Sequence, residues 1–130
     1  RVHFPGSVAP DALAMLLSAA DAMVLPSERE GLANAWIEAL ACGTPLVIPD
    51  AGGAREVVTG PSAGRIVARS AEAIAEAIRA LLADPPAQAE VAAHAARFSW
   101  RANAAQLAAH WRKLERFQAQ WNHCAARKTR

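Results

Sequence analysis

Pro26-Ser27-Glu28-Arg29-Glu30-Gly31-Leu32-Ala33-Asn34-Ala35-Trp36-Ile37-Glu38-Ala39-Leu40-Ala41-Cys42-Gly43-Thr44-Pro45 lies between two short apolar runs, Met23–Leu25 and Leu46–Ile48. Runs of that length, flanked by turn residues, read as buried strands. The stretch between them reads as a turn followed by a helix over Gly31–Cys42, with Gly43 as a left-handed cap and Pro45 just beyond. A strand, a helix and a second strand at this spacing form a βαβ unit with parallel strands. Right-handed crossovers place the strands' C-terminal ends along one edge, where open α/β sheets bind ligands.

The chemistry of that edge follows from the same residues. A strand end, a turn carrying Gly31 and a helix N-terminus leave backbone N–H groups free to meet an anion, with about half a positive charge from the helix dipole. Gly31 lets a ligand come close to the backbone. Glu30 and Glu38 flank the turn. In one helix, two residues eight apart lie about 12 Å from each other along the axis. Paired glycosidase carboxylates stand roughly 5–9.5 Å apart, so this pair suits hydrolysis of a single bond poorly. It can instead grip two ends of an elongated ligand. Carboxylates repel phosphates and accept hydrogen bonds from sugar hydroxyls, which points to a nucleotide-sugar with its phosphates at the helix N-terminus.

Working outward, Val2–Phe4 and Arg65–Val67 read as further strands, and Asp11–Ala20, Gly53–Thr59 and Ala71–Ala83 as helices. Pro10-Asp11 opens the first helix and Asp84-Pro85-Pro86 closes the last. From Trp100 to Trp121, large apolar residues fall at 100, 107, 111, 114, 117 and 121, the spacing of one long amphipathic helix. Its four bulky aromatics exceed what a small sheet face needs, so part of the stripe is expected to serve a missing partner or self-association.

The chain has 130 residues, enough for one domain, and begins with Arg; we read it as a piece of a longer protein or a mature fragment. Its composition is 53% hydrophobic, which excludes disorder, although 34 residues are Ala and add little core volume. No apolar run reaches the roughly 18 residues of a membrane span. Residues 1–96 hold 6 basic and 11 acidic side chains, and residues 97–130 hold 8 basic and 1 acidic. A basic end of this kind suits a phosphate-rich surface such as a membrane, and equally a solvated helix face, the reading we prefer. Cys42 and Cys124 make no disulfide framework, and a reducing, cytoplasmic setting is the default. The four His residues share no ligand spacing, and there is neither a Walker A motif nor G-x-G-x-x-G.

Several segments, in order, resemble the C-terminal donor-binding domain of GT-B fold retaining glycosyltransferases of family 4, the "glycosyl transferases group 1". Phe4-Pro5-Gly6-Ser7-Val8 resembles a strand-Gly-x-Val turn of that family, and Ala20-Asp21 through Pro26-Ser27 its "ADxxxxPS" strand. Glu30 and Glu38 match E-x7-E, Glu38–Pro45 matches "EAMACGTP", and Gly52-Gly53-Ala54-Arg55-Glu56-Val57-Val58 matches "GGxxEVV". Ala63–Val67 and Phe98-Ser99-Trp100 resemble the later "xGxLV" strand and the "FSW" that opens the last helix.

The resemblance covers roughly residues 1–115. It implies an α/β fold, a truncated Rossmann-like parallel sheet with a long C-terminal helix, divided into residues 1–97 and 98–130. It implies that Glu30 is the catalytic residue, bonding hydroxyls of the donor sugar, and that Glu38 bonds the ribose. Backbone N–H groups of Gly31, Leu32 and Ala33 would hold the diphosphate, with Gly6 and Val8 beside the nucleobase. The implied reaction transfers a sugar from a nucleotide-diphosphate donor to a glycan or lipid-linked acceptor, with retention and without metal or other cofactor. Nucleic acid is not an expected partner; peripheral contact of the whole protein with the inner face of a membrane is compatible. An acceptor domain, a phosphate-neutralising Arg and Lys and two strands are expected upstream, so the isolated chain is expected to be inactive. Leu32-Ala33 replaces the family's usual aromatic-Gly pair. A nucleotide-sugar epimerase of the same fold, or a non-catalytic nucleotide- or protein-binding module, are the alternatives.

Overall fold

The computed structural model describes the backbone of residues 1–128 and the side-chain surroundings of residues 1–117. Two units separate between Ala96 and Arg97. The first holds α1 (Pro10–Ala19), β1 (Met23–Val24), α2 (Asn34–Ala41), β2 (Leu46–Pro49), α3 (Ala54–Val57), β3 (Gly64–Val67), α4 (Ala71–Ala83) and α5 (Gln88–Ala93). The second is built on α6 (Trp100–Lys128).

The three strands form one sheet in the order β1-β2-β3, parallel throughout. Met23 pairs with Leu46, and Leu46 in turn with Gly64, so the strands' C-terminal ends share one edge, as the βαβ reading requires. Leu46, Val47 and Ile48 are fully buried, which is why the central strand carries an unbroken apolar run rather than an alternating one. Val2–Phe4 does not join the sheet, correcting the expected strand. Val2 and Phe4 remain 79% and 91% exposed; an apolar run of three residues gains nothing as a strand unless a neighbour supplies its hydrogen bonds.

Two helices, α2 and α4, cover the sheet through spaced apolar faces. In α4, Ile74, Ala77, Ile78 and Leu81 recur at helical spacing and pack with Val47, Val67 and Ala22. Ser70 caps this helix, its hydroxyl accepting from the Ala73 N–H at 3.2 Å. In α2, Trp36, Ala39 and Leu40 are buried. Beyond its end, Gly43 takes the left-handed φ of 82° expected of a cap, and a Cβ there would stand 2.8 Å from Cβ of Gln88 on α5. Gln88 also donates to the Ser18 carbonyl at 2.9 Å, tying α5 to α1. Thr44, fully buried, donates its hydroxyl to the Leu17 carbonyl. The His94 ring shares hydrogen bonds with Thr59 Oγ1 through Nδ1 (2.8 Å) and with Ser62 Oγ through Nε2 (2.9 Å), at least one of them donated by the ring, fastening the loop before β3 to the end of α5.

Within the second unit, Ser99 caps α6 through the Ala102 N–H (3.1 Å), and the Arg97 guanidinium lies 4.5 Å from the Phe98 ring centroid. A lone helix has nothing of its own against which to bury a stripe, and Trp100, Leu107, Trp111, Leu114 and Phe117 are exposed. Trp121, the last member of the expected stripe, lies outside the residues whose side chains are described. Among the described residues, no helix is long and apolar enough to cross a membrane.

Candidate functional site

The loops at the C-terminal edge of the sheet are residues 25–33 after β1, 50–53 after β2 and 68–70 after β3. The first of them carries most of the expected site residues. Glu30 and Ala33 are half-buried, Gly31 and Leu32 are exposed, and all four precede the helix. The helix was expected to open at Gly31 and opens at Asn34 instead. Continuing it back to Gly31 would need the Gly31 carbonyl as acceptor for the N–H four residues on. That carbonyl accepts from the Gly53 N–H instead, at 2.7 Å, and the Ala35 N–H does not bond it.

The start of α2 is open. Ala33 occupies the N-cap position in extended backbone (φ −67°, ψ 124°) and has no side chain able to bond the first-turn N–H groups. The Trp36 N–H bonds the Ala33 carbonyl at 3.1 Å, while among the described residues the N–H groups of Gly31, Leu32, Ala33, Asn34 and Ala35 have no backbone acceptor. Five free donors and the positive end of a helix dipole thus follow directly on the half-buried Glu30. Glu38 lies further along α2, exposed and about 6 Å from Asn34 along the axis at 1.5 Å per residue. Glu30 and Glu38 therefore do not share one helix, and they flank the open helix start from either side.

Gly6 and Val8 stand apart in sequence, ahead of α1. Gly6 is exposed with a positive φ of 69°, Val8 is half-buried, and neither hydrogen-bonds the Glu30–Ala33 turn among the described residues. Glu56 is exposed in the first turn of α3.

Three features of this edge went unread in the sequence. Asp50 and Arg55 form a forked ion pair, Nε to both carboxylate oxygens at 3.0 and 3.1 Å and Nη2 to Oδ2 at 2.5 Å. The hydrogen bond and the charge of Asp50 raise the Arg55 pKa further, so the guanidinium is a permanent cation at the rim. Glu28 meets Arg69 of the loop after β3 at 3.5 Å. Gly52 and Gly53 press on the backbone of Glu30 and Gly31 and on the Leu32 side chain. The Gly-Gly pair was a visible signal, but its target, more than twenty residues earlier, was not. Among the described residues, no three His, Cys, Asp or Glu side chains gather as a metal site.

A family model described as "Glycosyl transferases group 1" matches residues 1–98. A D-inositol 3-phosphate glycosyltransferase of Rhodococcus erythropolis is 36% identical over 118 residues, 87% of this chain and 27% of that protein. An alpha-maltose-1-phosphate synthase of Mycobacterium tuberculosis is 40% identical over 112 residues, 76% of this chain and 29% of that protein. Among solved structures, a sucrose-phosphate synthase from Thermosynechococcus elongatus superposes with a TM-score of 0.71 at 34% identity, over 92% of this chain and 31% of that one. The chain thus spans between a quarter and a third of the length of these relatives.

Proposed function

Because this chain belongs to the glycosyl transferases group 1 family, we propose that residues 1–97 are the donor-binding part of a retaining glycosyltransferase of GT-B fold. The donor is a nucleotide-diphosphate sugar and the acceptor a glycan or glycolipid held by another part of the whole protein. In this reading the free N–H groups of Gly31, Leu32 and Ala33, with the open start of α2, bind the diphosphate. Glu30 accepts hydrogen bonds from the donor sugar, Glu38 from the ribose, and Gly6 and Val8 border the base. As the bond from the anomeric carbon to the diphosphate oxygen breaks, negative charge collects on the diphosphate. Preorganised N–H donors and a helix dipole favour that charge without having to reorient.

The observation that carries the reading is the uncapped helix start. Ala33 is the residue type least able to satisfy it, whereas Ser, Thr, Asp or Asn at such a position typically adds about 1 kcal/mol. Ala33→Asp separates folding from binding. The new carboxylate is expected to cap α2 and raise stability by about 1 kcal/mol. It also places a negative charge where the diphosphate binds, so affinity for a nucleoside diphosphate is expected to fall about tenfold or more, a difference of about 1.4 kcal/mol. Urea unfolding and calorimetric titration of the same preparation read both effects. A variant that is stabilised and binds as well as the parent would remove the diphosphate from this turn.

Glu38→Ala is expected to weaken a nucleoside diphosphate about tenfold, the lower end of the range for a charge-assisted hydrogen bond, because the carboxylate is exposed. The same variant should leave affinity for inorganic pyrophosphate, which has no ribose, unchanged. Unchanged affinity for both ligands would place the ribose elsewhere.

A further inference from the structure

We propose that Gly52 and Gly53 are positioning residues for the donor diphosphate: they set the direction of the two N–H groups, of Gly31 and Leu32, that receive it. This rests on the donor-site reading above and deepens it. Gly52 has a φ of +50°, and a Cβ built on it would stand 2.0 Å from the Glu30 carbonyl oxygen, 2.3 Å from that of Gly31 and 2.7 Å from the Glu30 carbonyl carbon. All three are backbone atoms, so no side-chain rotation can relieve the overlap. Gly53 adds a fixed bond, its N–H donating to the Gly31 oxygen at 2.7 Å. A Cβ on Gly53 would meet Leu32 Cδ1 at 2.9 Å.

Peptide planarity carries the consequence to the site. In a trans peptide the C=O of one residue and the N–H of the next lie in one plane and point in opposite directions. The Glu30 carbonyl shares its plane with the Gly31 N–H, and the Gly31 carbonyl with the Leu32 N–H. Both carbonyls turn toward Gly52 and Gly53. Both N–H groups must therefore point away from that loop, and neither has a backbone acceptor among the described residues. The same Gly31–Gly53 bond ties the turn to the Gly-Gly loop just ahead of the open start of α2. The Gly-Gly pair thus orients the anion donors while touching no ligand itself, as the close backbone approach permits only without a Cβ.

The test uses the 130-residue chain labelled with ¹⁵N, as wild type, Gly52→Ala and Gly53→Ala, titrated with inorganic pyrophosphate and with the bare nucleoside. Gly60→Ala is the control, because its Cβ would meet only the His94 ring, at 3.5 Å, with ordinary φ. In the wild type, pyrophosphate is expected to shift the Gly31 and Leu32 amide resonances. Gly52→Ala is expected to move those two resonances before any ligand is added and to lose at least tenfold in pyrophosphate affinity, with nucleoside binding unchanged. Gly53→Ala, which meets a flexible methyl, is expected to keep the fold and lose affinity by a smaller factor; it decides the matter if Gly52→Ala does not fold. Wild-type pyrophosphate affinity in either folded variant overturns the positioning role. Absence of any Gly31 or Leu32 shift in the wild type overturns the diphosphate assignment and the positioning role together.

Discussion

Trp36→Ala is expected to lower the unfolding free energy of the first unit by about 3–5 kcal/mol, the range for truncating a large buried aromatic. Trp36 is 0% exposed, and no other buried side chain in this unit is larger. It sits three residues past Ala33, and its N–H closes the first turn of α2 on the Ala33 carbonyl. A cavity at this position loosens the helix whose start forms the site, in a domain whose total stability is of the order of 5–15 kcal/mol. Trp36 also carries a buried Nε1 with no hydrogen-bond partner. Trp36→Phe removes that unpaired donor while keeping most of the ring, and is expected to cost well under half as much as the Ala variant. Urea unfolding followed by circular dichroism measures both. A Phe variant as damaged as the Ala variant would mean that the full indole, and not a six-membered ring in its place, is needed to hold α2.

Glu30→Gln is expected to weaken a nucleotide-diphosphate sugar by about tenfold to a hundredfold, the equivalent of 1.5–3 kcal/mol for a hydrogen bond to a charged group. Glu30 is half-buried, in a turn whose backbone rests against Gly52, so water competes there less than at the exposed Glu38. Gln keeps the shape and removes the charge, so the turn itself should survive. Affinity for the corresponding nucleoside diphosphate, which has no donor sugar, is expected to change less than about twofold, under 0.5 kcal/mol. Calorimetric titration with the two ligands separates the outcomes. An equal loss with both would make Glu30 a support of the turn and take it away from the sugar.

Much of this fold is legible because local signals agree. The helix over Ala71–Ala83 has the bounds read from sequence: Ser70 supplies a cap, four apolar residues recur on one face, and Asp84-Pro85-Pro86 stops it. The strand at Leu46–Ile48 is an apolar run of the length a buried parallel strand needs, and gains only Pro49 in the structure. Val2–Phe4 carries a similar apolar signal and forms no strand, because pairing depends on a neighbour that a local pattern does not contain. The helix Gln88–Ala93 escaped notice since Val91 is its one large buried side chain among alanines, leaving no periodicity to read.

The site divides along the same line. The Glu30–Ala33 turn, Glu38 and the adjoining helix were legible as contiguous chemistry. What aims the turn was not, because the Gly52 and Gly53 contacts join two loops across the sheet edge, and no spacing rule within either loop records them. Nor was the displaced start of α2, where the Gly31 carbonyl meets the distant Gly53 N–H rather than a helical one.

The most direct test of the account is a crystal structure of the protein with a nucleoside diphosphate bound. Diphosphate oxygens are expected within about 3 Å of the Gly31 and Leu32 nitrogens, ordinary N–H···O distances, at the open start of α2, with the ribose hydroxyls on Glu38. A diphosphate bound away from this turn, with Gly31 and Leu32 making no contact, would contradict it.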